Sequence, residues 1–338
     1  MTTPNDANET AGADVVVVLS YHGRSDTERC VESLVEGSPE VMVLVIDNGS
    51  FDGVLEHVAA RWPQVATMQT GTNLGFAGGM NRGIEWAMSR GAATVTVLNN
   101  DTIIPPGAIA TLGRVARTGV AVSPEVRYAD GSDRLWFGGG VIDESTSLAR
   151  HLSEVEIRRE FSPSVGGLRP SQTLAGCCVT ASATTWRTVG LFDERFFLNF
   201  EDAEWSVRAR RVGLDLVVLP TVVIHHHVSA SFRGAYSYLG LFYYTRNGLL
   251  FGALRRRWDL PTRLRFLRRY VVPVLGTDVR ADERREAGRH ALVIVAAVTL
   301  HLLRRYGRAP RWLERFARIW SQTGGPPTTG GVCASAAG

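Results

Sequence analysis

Several polar clusters in this chain carry side chains suited to a phosphorylated, hydroxyl-rich ligand. Asp47-Asn48-Gly49-Ser50 follows an apolar run, and the Asp47 carboxylate suits the N3–H of a uracil or thymine ring. Val97-Leu98-Asn99-Asn100-Asp101-Thr102 ends a second run of β-formers in two amides and a carboxylate. Asp101 offers a charged oxygen to Mg²⁺ or Mn²⁺, and Asn99 a neutral carbonyl or an amide donor. Asn73 to Arg82 is glycine-rich and opens a helix, so backbone N–H groups there suit a diphosphate. It has neither the dinucleotide fingerprint nor the P-loop spacing. Close helix–sheet packing explains the glycines equally well.

Glu201-Asp202-Ala203-Glu204-Trp205 opens another helix inside an aromatic run, Phe192, Phe196, Phe197 and Phe200. Burial beside aromatic rings suits a general base. Adjacent helical residues diverge, so at most one of Glu201 and Asp202 need face a pocket. The bland alternative is acids complementing a helix dipole. His225-His226-His227 ends a strand, and alternation turns His226 away from its neighbours, so the run is no chelating tripod.

The elements that must position these groups are read from periodicity. Strands are expected at 15–19, 41–46, 65–69 and 94–98, with helices at 27–35, 53–60, 76–89 and 107–116. Strands alternating with helices give βαβ units and a mainly parallel sheet. Ser20-Tyr21-His22, Asp47-Asn48 and Asn99-Asn100 then share the carboxyl edge of an open α/β sheet, where ligands bind. Beyond Val122 the pattern changes: a hairpin or edge strand at 135–142, a loop at 145–165, a strand at 174–180 and a helix at 201–212. Two strand-like runs follow at 214–218 and 222–224, and the chain from Tyr236 reads mostly helical.

The 338 residues suggest about two domains, with 45% hydrophobic and 21% charged residues supporting an ordinary globular core. All 37 cationic residues are arginine, and the net charge of +4 is too small to argue for nucleic acid. Cys30, Cys177, Cys178 and Cys333 lack zinc spacing and suit free thiols in a reducing cytoplasm. No signal peptide is visible, and the apolar stretch 291–303 is too short to span a bilayer.

In order, VVVVLSYH, VIDNGSFDG, NLGFAGGMNRGI, VLNNDT, GLFDERFFLNFEDAEWSVRARRVG and HHHVSAS resemble the family 2 glycosyltransferases, especially the rhamnosyltransferase-like branch, over about residues 14–250. The resemblance implies a GT-A fold, a Rossmann-like α/β sheet with helices on both faces. It divides 14–250 into a nucleotide-binding part (14–125) and an acceptor-binding part (126–250). An arginine-rich helical subdomain (251–320) is expected to follow, with disordered ends at 1–13 and 321–338. The implied reaction is inverting transfer from a dTDP- or UDP-sugar, such as dTDP-rhamnose, with Mg²⁺ or Mn²⁺. The implied site has Asp202 as base and Asp101 with His226 on the metal. Asp47 holds the pyrimidine, Ser20 and Tyr21 line the nucleoside, and Asn48, Asn73, Gly75, Gly78, Asn81, Asn99 and Asn100 line the donor site. Glu201, Glu204 and Trp205 are secondary, acceptor-side candidates. The chain departs from the family at His22, where asparagine is common, and at Asn99, the first position of the D-x-D pattern.

The expected acceptor is a cell-envelope glycan or lipid-linked saccharide, with a small secondary metabolite as the alternative. A non-catalytic nucleotide-sugar binder is the alternative of another class, and the joint presence of Asp101, Asp202 and His226 argues against it. Seven arginines within 254–270 against Asp259, and Arg304, Arg305, Arg308 and Arg311 beyond, suit peripheral contact with an anionic membrane face. A solvated subdomain suits them equally, and a homodimer contact is a further option.

Overall fold

The computed structural model describes residues 12–160, 167–227, 238–255, 259–268 and 281–323. In chain order the elements are β1 (Asp14–Ser20), α1 (Arg24–Gly37), β2 (Met42–Asp47), α2 (Val54–Arg61), β3 (Ala66–Gln69), α3 (Gly75–Ser89), β4 (Thr94–Asn99), β5 (Thr102–Ile103), α4 (Ala108–Ala116) and β6 (Ala121–Tyr128). Then come β7 (Leu135–Phe137), β8 (Gly140–Ile142), β9 (Ala149–His151), α5 (Glu154–Glu160), β10 (Arg169–Pro170), β11 (Cys178–Ser182), α6 (Ala183–Val189), α7 (Glu201–Arg211) and β12 (Leu216–His226). Helices α8 (Tyr238–Leu254), α9 (Leu260–Phe266), α10 (Ala281–Leu302) and α11 (Arg311–Thr323) close the chain.

One mixed sheet runs β10-β12-β6-β11-β4-β1-β2-β3, with β5 on β12 and β7 on β6; β8 and β9 pair separately. Its longest ladders are parallel: β4-β1-β2 on one side and β6-β12 on the other, joined through the antiparallel β11. Val15 to Val18 are fully buried, as expected for a strand covered on both faces. The parallel register sets Ser20 opposite Asp47 and Leu19 opposite Asn99, so the polar ends of three strands meet at one edge. Helix α3 lies close on β1. A Cβ at Gly79 would stand 2.6 Å from Leu19, and one at Gly83 2.2 Å from Val17.

The structure corrects four expectations beyond Val122. Residues 145–165 are not all loop, since β9 and α5 lie within them. The strand expected from Leu174 starts only at Cys178, because Ala175 to Cys177 turn to meet other groups. The two runs near 214–224 are a single strand, β12, with a register shift between Leu219 and Val223 around Pro220, which has no N–H to give the ladder. The hairpin at 135–142 divides, β7 joining the main sheet and β8 pairing with β9. Strand β6 went unread because Pro124 interrupts its pattern.

The chain separates into two compact units. Unit 1 comprises residues 1–141, 151–193 and 201–227, and unit 2 comprises 142–150, 194–200 and 228–338. Unit 1 centres on a core that includes Val17, Ile46, Met80, Trp186 and Trp205. Unit 2 centres on Phe197, Phe242, Tyr243, Val293 and Leu313. The segment after His227 (Ser229 to Ser231), Arg256, Arg257, Arg269, Cys333 and most of both expected disordered ends lie outside the described residues. Cys30, Cys177 and Cys178 are free and buried.

Candidate active site

Every candidate site residue lies in unit 1. At the end of β1, Ser20 is fully buried and accepts a hydrogen bond from Thr27 Oγ1 at 2.9 Å. Tyr21 is 48% exposed at the sheet edge, its ring tilted against that of His22 at 4.5 Å. Asp47 is buried with both oxygens occupied. Oδ1 accepts from the Ser50 N–H at 2.9 Å and from the Ser50 hydroxyl; Oδ2 accepts from the Phe51 N–H at 2.9 Å and from Gln69 Nε2 at 2.7 Å. Burial pushes the Asp47 carboxyl up, but the Ser50, Gln69 and Phe51 donors outweigh it and hold it below its ordinary range. A carboxylate offers about four lone-pair sites, so a base N–H could use Asp47 only by displacing one of these donors.

Asn48 fastens the end of β2 to the glycine-rich entry of α3. Its Nδ2 donates to the Gly75 carbonyl at 2.9 Å and to Asn73 Oδ1 at 3.3 Å, and its Oδ1 accepts from the Leu74 N–H at 3.0 Å. Asn73 Oδ1 also accepts from the Gly75 N–H at 2.8 Å. Gly75 has φ +77°, a left-handed conformation that favours glycine. The N-cap residue Leu74 makes no side-chain cap, so Asn73 supplies the side-chain bond at the start of α3. Gly78, one turn in, is buried. The Asn81 amide ties α3 to the segment before α7, donating to the Phe192 carbonyl at 2.9 Å and accepting from the Phe192 N–H at 3.0 Å.

At the end of β4, Asn100 Nδ2 reaches Thr27 Oγ1 at 2.9 Å and the Gly23 carbonyl at 3.2 Å, holding the loop after β1. Asp101 and His226 meet because β5 pairs antiparallel with the end of β12. Asp101 Oδ1 lies 2.9 Å from His226 Nε2, and Asn99 Nδ2 lies 3.4 Å from the same nitrogen. His226 is buried and His225 exposed, as strand alternation requires. The His226 ring stands edge-on to Trp136 at 4.7 Å, and its Nδ1 has no hydrogen-bond partner among the described residues.

Helix α7 brings the acids. Asp202 Oδ2 accepts from the Gly176 N–H at 2.8 Å and Oδ1 from the Ala203 N–H at 2.7 Å. Burial raises its carboxyl, partly offset by these N–H donors. Glu201 is buried, its Oε2 has no partner among the described residues, and burial together with the Asp202 charge pushes it up to about 8. Glu204 and Trp205, the other two candidates on α7, meet protein neighbours. Both Glu204 oxygens lie 2.9 Å from Arg208 Nε. Trp205 sits in the core, with Nε1 on the Gly190 carbonyl at 2.8 Å and its ring 4.7 Å from Trp186.

The segment Gly176-Cys177, which sequence reasoning did not single out, draws these pieces together. A Cβ at Gly176 would stand 3.3 Å from Asp202 and 3.4 Å from the Phe76 ring at the start of α3. The Cys177 carbonyl accepts from the Asn99 N–H at 2.9 Å. Burial first, then the Cys178 thiol and the charges of Asp101 and Asp202, hold the Cys177 thiol well above its ordinary range. The signal available was a glycine inside an apparent strand, which marks a close approach.

A mixed, mainly parallel sheet whose polar strand ends meet at one edge, beside the glycine-rich start of α3, agrees with the fold that the resemblance implies. Residues 15–167 match the family described as Glycosyl transferase family 2. An N-acetylglucosaminyl-diphospho-decaprenol L-rhamnosyltransferase of Mycobacterium tuberculosis is 32% identical over 247 residues, covering 66% of this chain and 79% of that one. The dTDP-rhamnosyl transferase RfbF of Shigella flexneri is 24% identical over 195 residues, covering 55% of this chain and 60% of that one. A crystal structure of GalNAc-T7 with UDP, GalNAc and Mn²⁺ shares the fold at a TM-score of 0.55 and 16% identity; it covers 84% of this chain, which spans 55% of the GalNAc-T7 chain. The chain belongs to glycosyl transferase family 2, and its class of activity is glycosyl transfer.

Proposed function

We propose that the protein transfers a hexosyl group, with inversion, from a nucleoside diphosphate sugar to an acceptor hydroxyl. The donor is dTDP-rhamnose or a related dTDP- or UDP-sugar, and the acceptor a cell-envelope glycan or lipid-linked saccharide. The observation that carries this reading is that Gly176-Cys177 meets Asp202, the start of α3 and the end of β4, through the Gly176 N–H on Asp202, the Phe76 ring and the Asn99 N–H on the Cys177 carbonyl. The relatives' printed names, one a rhamnosyltransferase of a lipid-linked acceptor and one a dTDP-rhamnosyl transferase, support the donor and acceptor classes.

In this reading Asp202 takes the acceptor hydroxyl proton as the oxygen attacks the anomeric carbon. A hydroxyl is a poor nucleophile until a positioned base removes its proton. The Gly176 and Ala203 N–H groups fix the Asp202 carboxylate for that transfer. The exposed Tyr21 ring stacks on the base, and Asp47 acts chiefly by shaping the Asn48–Phe51 loop beneath it. The N–H groups of α3 beyond Gly75 meet the diphosphate as it gains negative charge.

A divalent cation fits Asp101 and His226. Asp101 Oδ1 and His226 Nε2 stand 2.9 Å apart and would hold the ion between a charged oxygen and an imidazole nitrogen. Among the described residues no group of three or more His, Cys, Asp or Glu gathers for a metal, so donor phosphates would complete the shell. When bound, the ion would neutralise charge on the departing diphosphate.

The deciding experiment offers the purified chain a panel of nucleotide sugars with lipid-linked and free saccharide acceptors, and reads products by NMR. The expected product has the anomeric configuration opposite to the donor's. A product of retained configuration overturns the single-displacement reading, and transfer from purine-nucleotide donors alone overturns the donor class.

A further inference from the structure

Helix α11 turns Leu313, Ala317 and Trp320 into the apolar core of unit 2. At about 100° per residue, Trp312, Phe316 and Ile319 form a second stripe beside that one. They remain 51%, 44% and 43% exposed. Their rings are continuous, with Phe316 6.1 Å from Trp312 and stacked on Trp320 at 5.6 Å. Along the far side of the stripe run Arg311, Arg315 and Arg318, all exposed and without an ion-pair partner among the described residues. The pairing recurs within unit 2: α9 exposes Leu260 and Leu264 beside Arg263 and Arg265.

A helix standing in water gains nothing from a row of exposed aromatic and branched side chains, and such patches mark contact surfaces. The chemistry of the neighbours decides what the contact is. Tryptophan and phenylalanine suit the boundary between headgroups and acyl chains, and guanidinium forks suit phosphate oxygens one layer above. An isologous second copy would set the three exposed arginines against the same three, and like charges oppose that contact. We propose that the α11 face of unit 2 seats on an anionic lipid bilayer, with Trp312, Phe316 and Ile319 entering the acyl boundary and Arg311, Arg315 and Arg318 on the lipid phosphates.

The test is flotation of the full chain with vesicles of phosphatidylcholine alone or mixed with phosphatidylglycerol. It needs neither donor nor acceptor, so its failure leaves the transfer reading untouched, and the reverse holds. The wild-type chain should float with the anionic vesicles at low salt and lose about ten-fold or more of its partition at high salt, where charge is screened. Two triple variants follow: Trp312→Ser/Phe316→Ser/Ile319→Ser, and Arg311→Gln/Arg315→Gln/Arg318→Gln. All six positions are exposed, so circular dichroism should match wild type, and each set should lower anionic partition about ten-fold. Absence of flotation at low salt overturns the proposal, as does flotation unchanged in both folded variants. Sedimentation that turns from dimer to monomer in the serine variant, without wild-type flotation, assigns the stripe to a second copy instead.

Discussion

Two carboxylates side by side at a helix start cannot both shed their protons easily once burial removes water from them. Asp202 has two N–H donors to hold a negative charge, whereas Glu201 Oε2 has none among the described residues. The proton therefore stays on Glu201, pushed up to about 8, and the charge on Asp202. Asp202→Asn should cut turnover by about 10²–10⁴-fold while donor affinity survives; Glu201→Gln, which keeps a neutral side chain, should lose far less. If steady-state kinetics give the reverse ranking, Glu201 is the base. The same pair governs stability. A carboxyl raised from 4.5 to about 8 on folding binds its proton more tightly in the folded state. Its contribution is full below the unfolded value and is lost as pH rises through the folded one. Thermal melts from pH 5 to 9 should fall more steeply for wild type than for Glu201→Gln; parallel curves would show that the raised acid is not Glu201. The sequence made the acid pair visible, yet not which member carries charge, because that depends on Gly176, 26 residues away in the chain. It also suggested ligand roles for Asn81 and Glu204, whose polar atoms meet Phe192 and Arg208 in the structure.

The first half of the fold was legible because each strand there is an unbroken apolar run and each helix has a clear periodic face. Ser20, Asp47 and Asn99 could be assigned to one edge from that pattern alone, and the register bears this out. Legibility fails where prolines interrupt β6 and β12, since a proline argues against a central strand. It fails again in the segment 194–200, where conformation comes from distant partners. Phe197, Asn199 and Phe200 have φ of 56°, 68° and 73°, a region that non-glycine residues rarely occupy. Asn247 on α8 holds them there, donating to the carbonyls of Phe196, of Leu198 at 2.7 Å and of Asn199 at 3.4 Å. The Gly307 N–H adds a bond to the Arg195 carbonyl at 2.9 Å, and the Gly307 carbonyl accepts from Arg246 at 2.6 Å. Removing one donor from buried carbonyls costs about 1–3 kcal/mol. Asn247→Ala should lower unfolding free energy in urea by that amount, and proteolytic nicking should appear within 194–200. Asn247→Asp, which turns a donor into an acceptor facing carbonyls, should cost more. Wild-type stability in the alanine variant would mean that Gly307 and the Phe197–Tyr243 stack, at 5.2 Å, suffice to hold the segment.

Across the whole molecule, every residue proposed for donor and metal belongs to unit 1, while the clustered exposed arginines of α9 and α11 belong to unit 2. No helix among the described residues is long and apolar enough to cross a membrane. Donor binding should thus register as stabilisation by a ligand that meets folded protein only. At 100 times its dissociation constant such a ligand contributes about 2.7 kcal/mol, or a shift of about 5–11 °C for a domain of about 150–250 residues at about 2–4 °C per kcal/mol. UDP and dTDP should each raise the melting temperature, and Mn²⁺ should add a further increment, because the diphosphate oxygens would add charged ligands to the two that the protein offers. Asp101→Asn and His226→Ala should erase that increment and keep the shift from nucleotide alone. Tyr21→Ala should do the opposite, shrinking the nucleotide shift and keeping the metal increment in proportion. Equal shifts from purine and pyrimidine diphosphates would remove the assignment of a pyrimidine pocket at Tyr21 and Asp47. A Mn²⁺ increment that persists in both metal-site variants would remove Asp101 and His226 as its ligands.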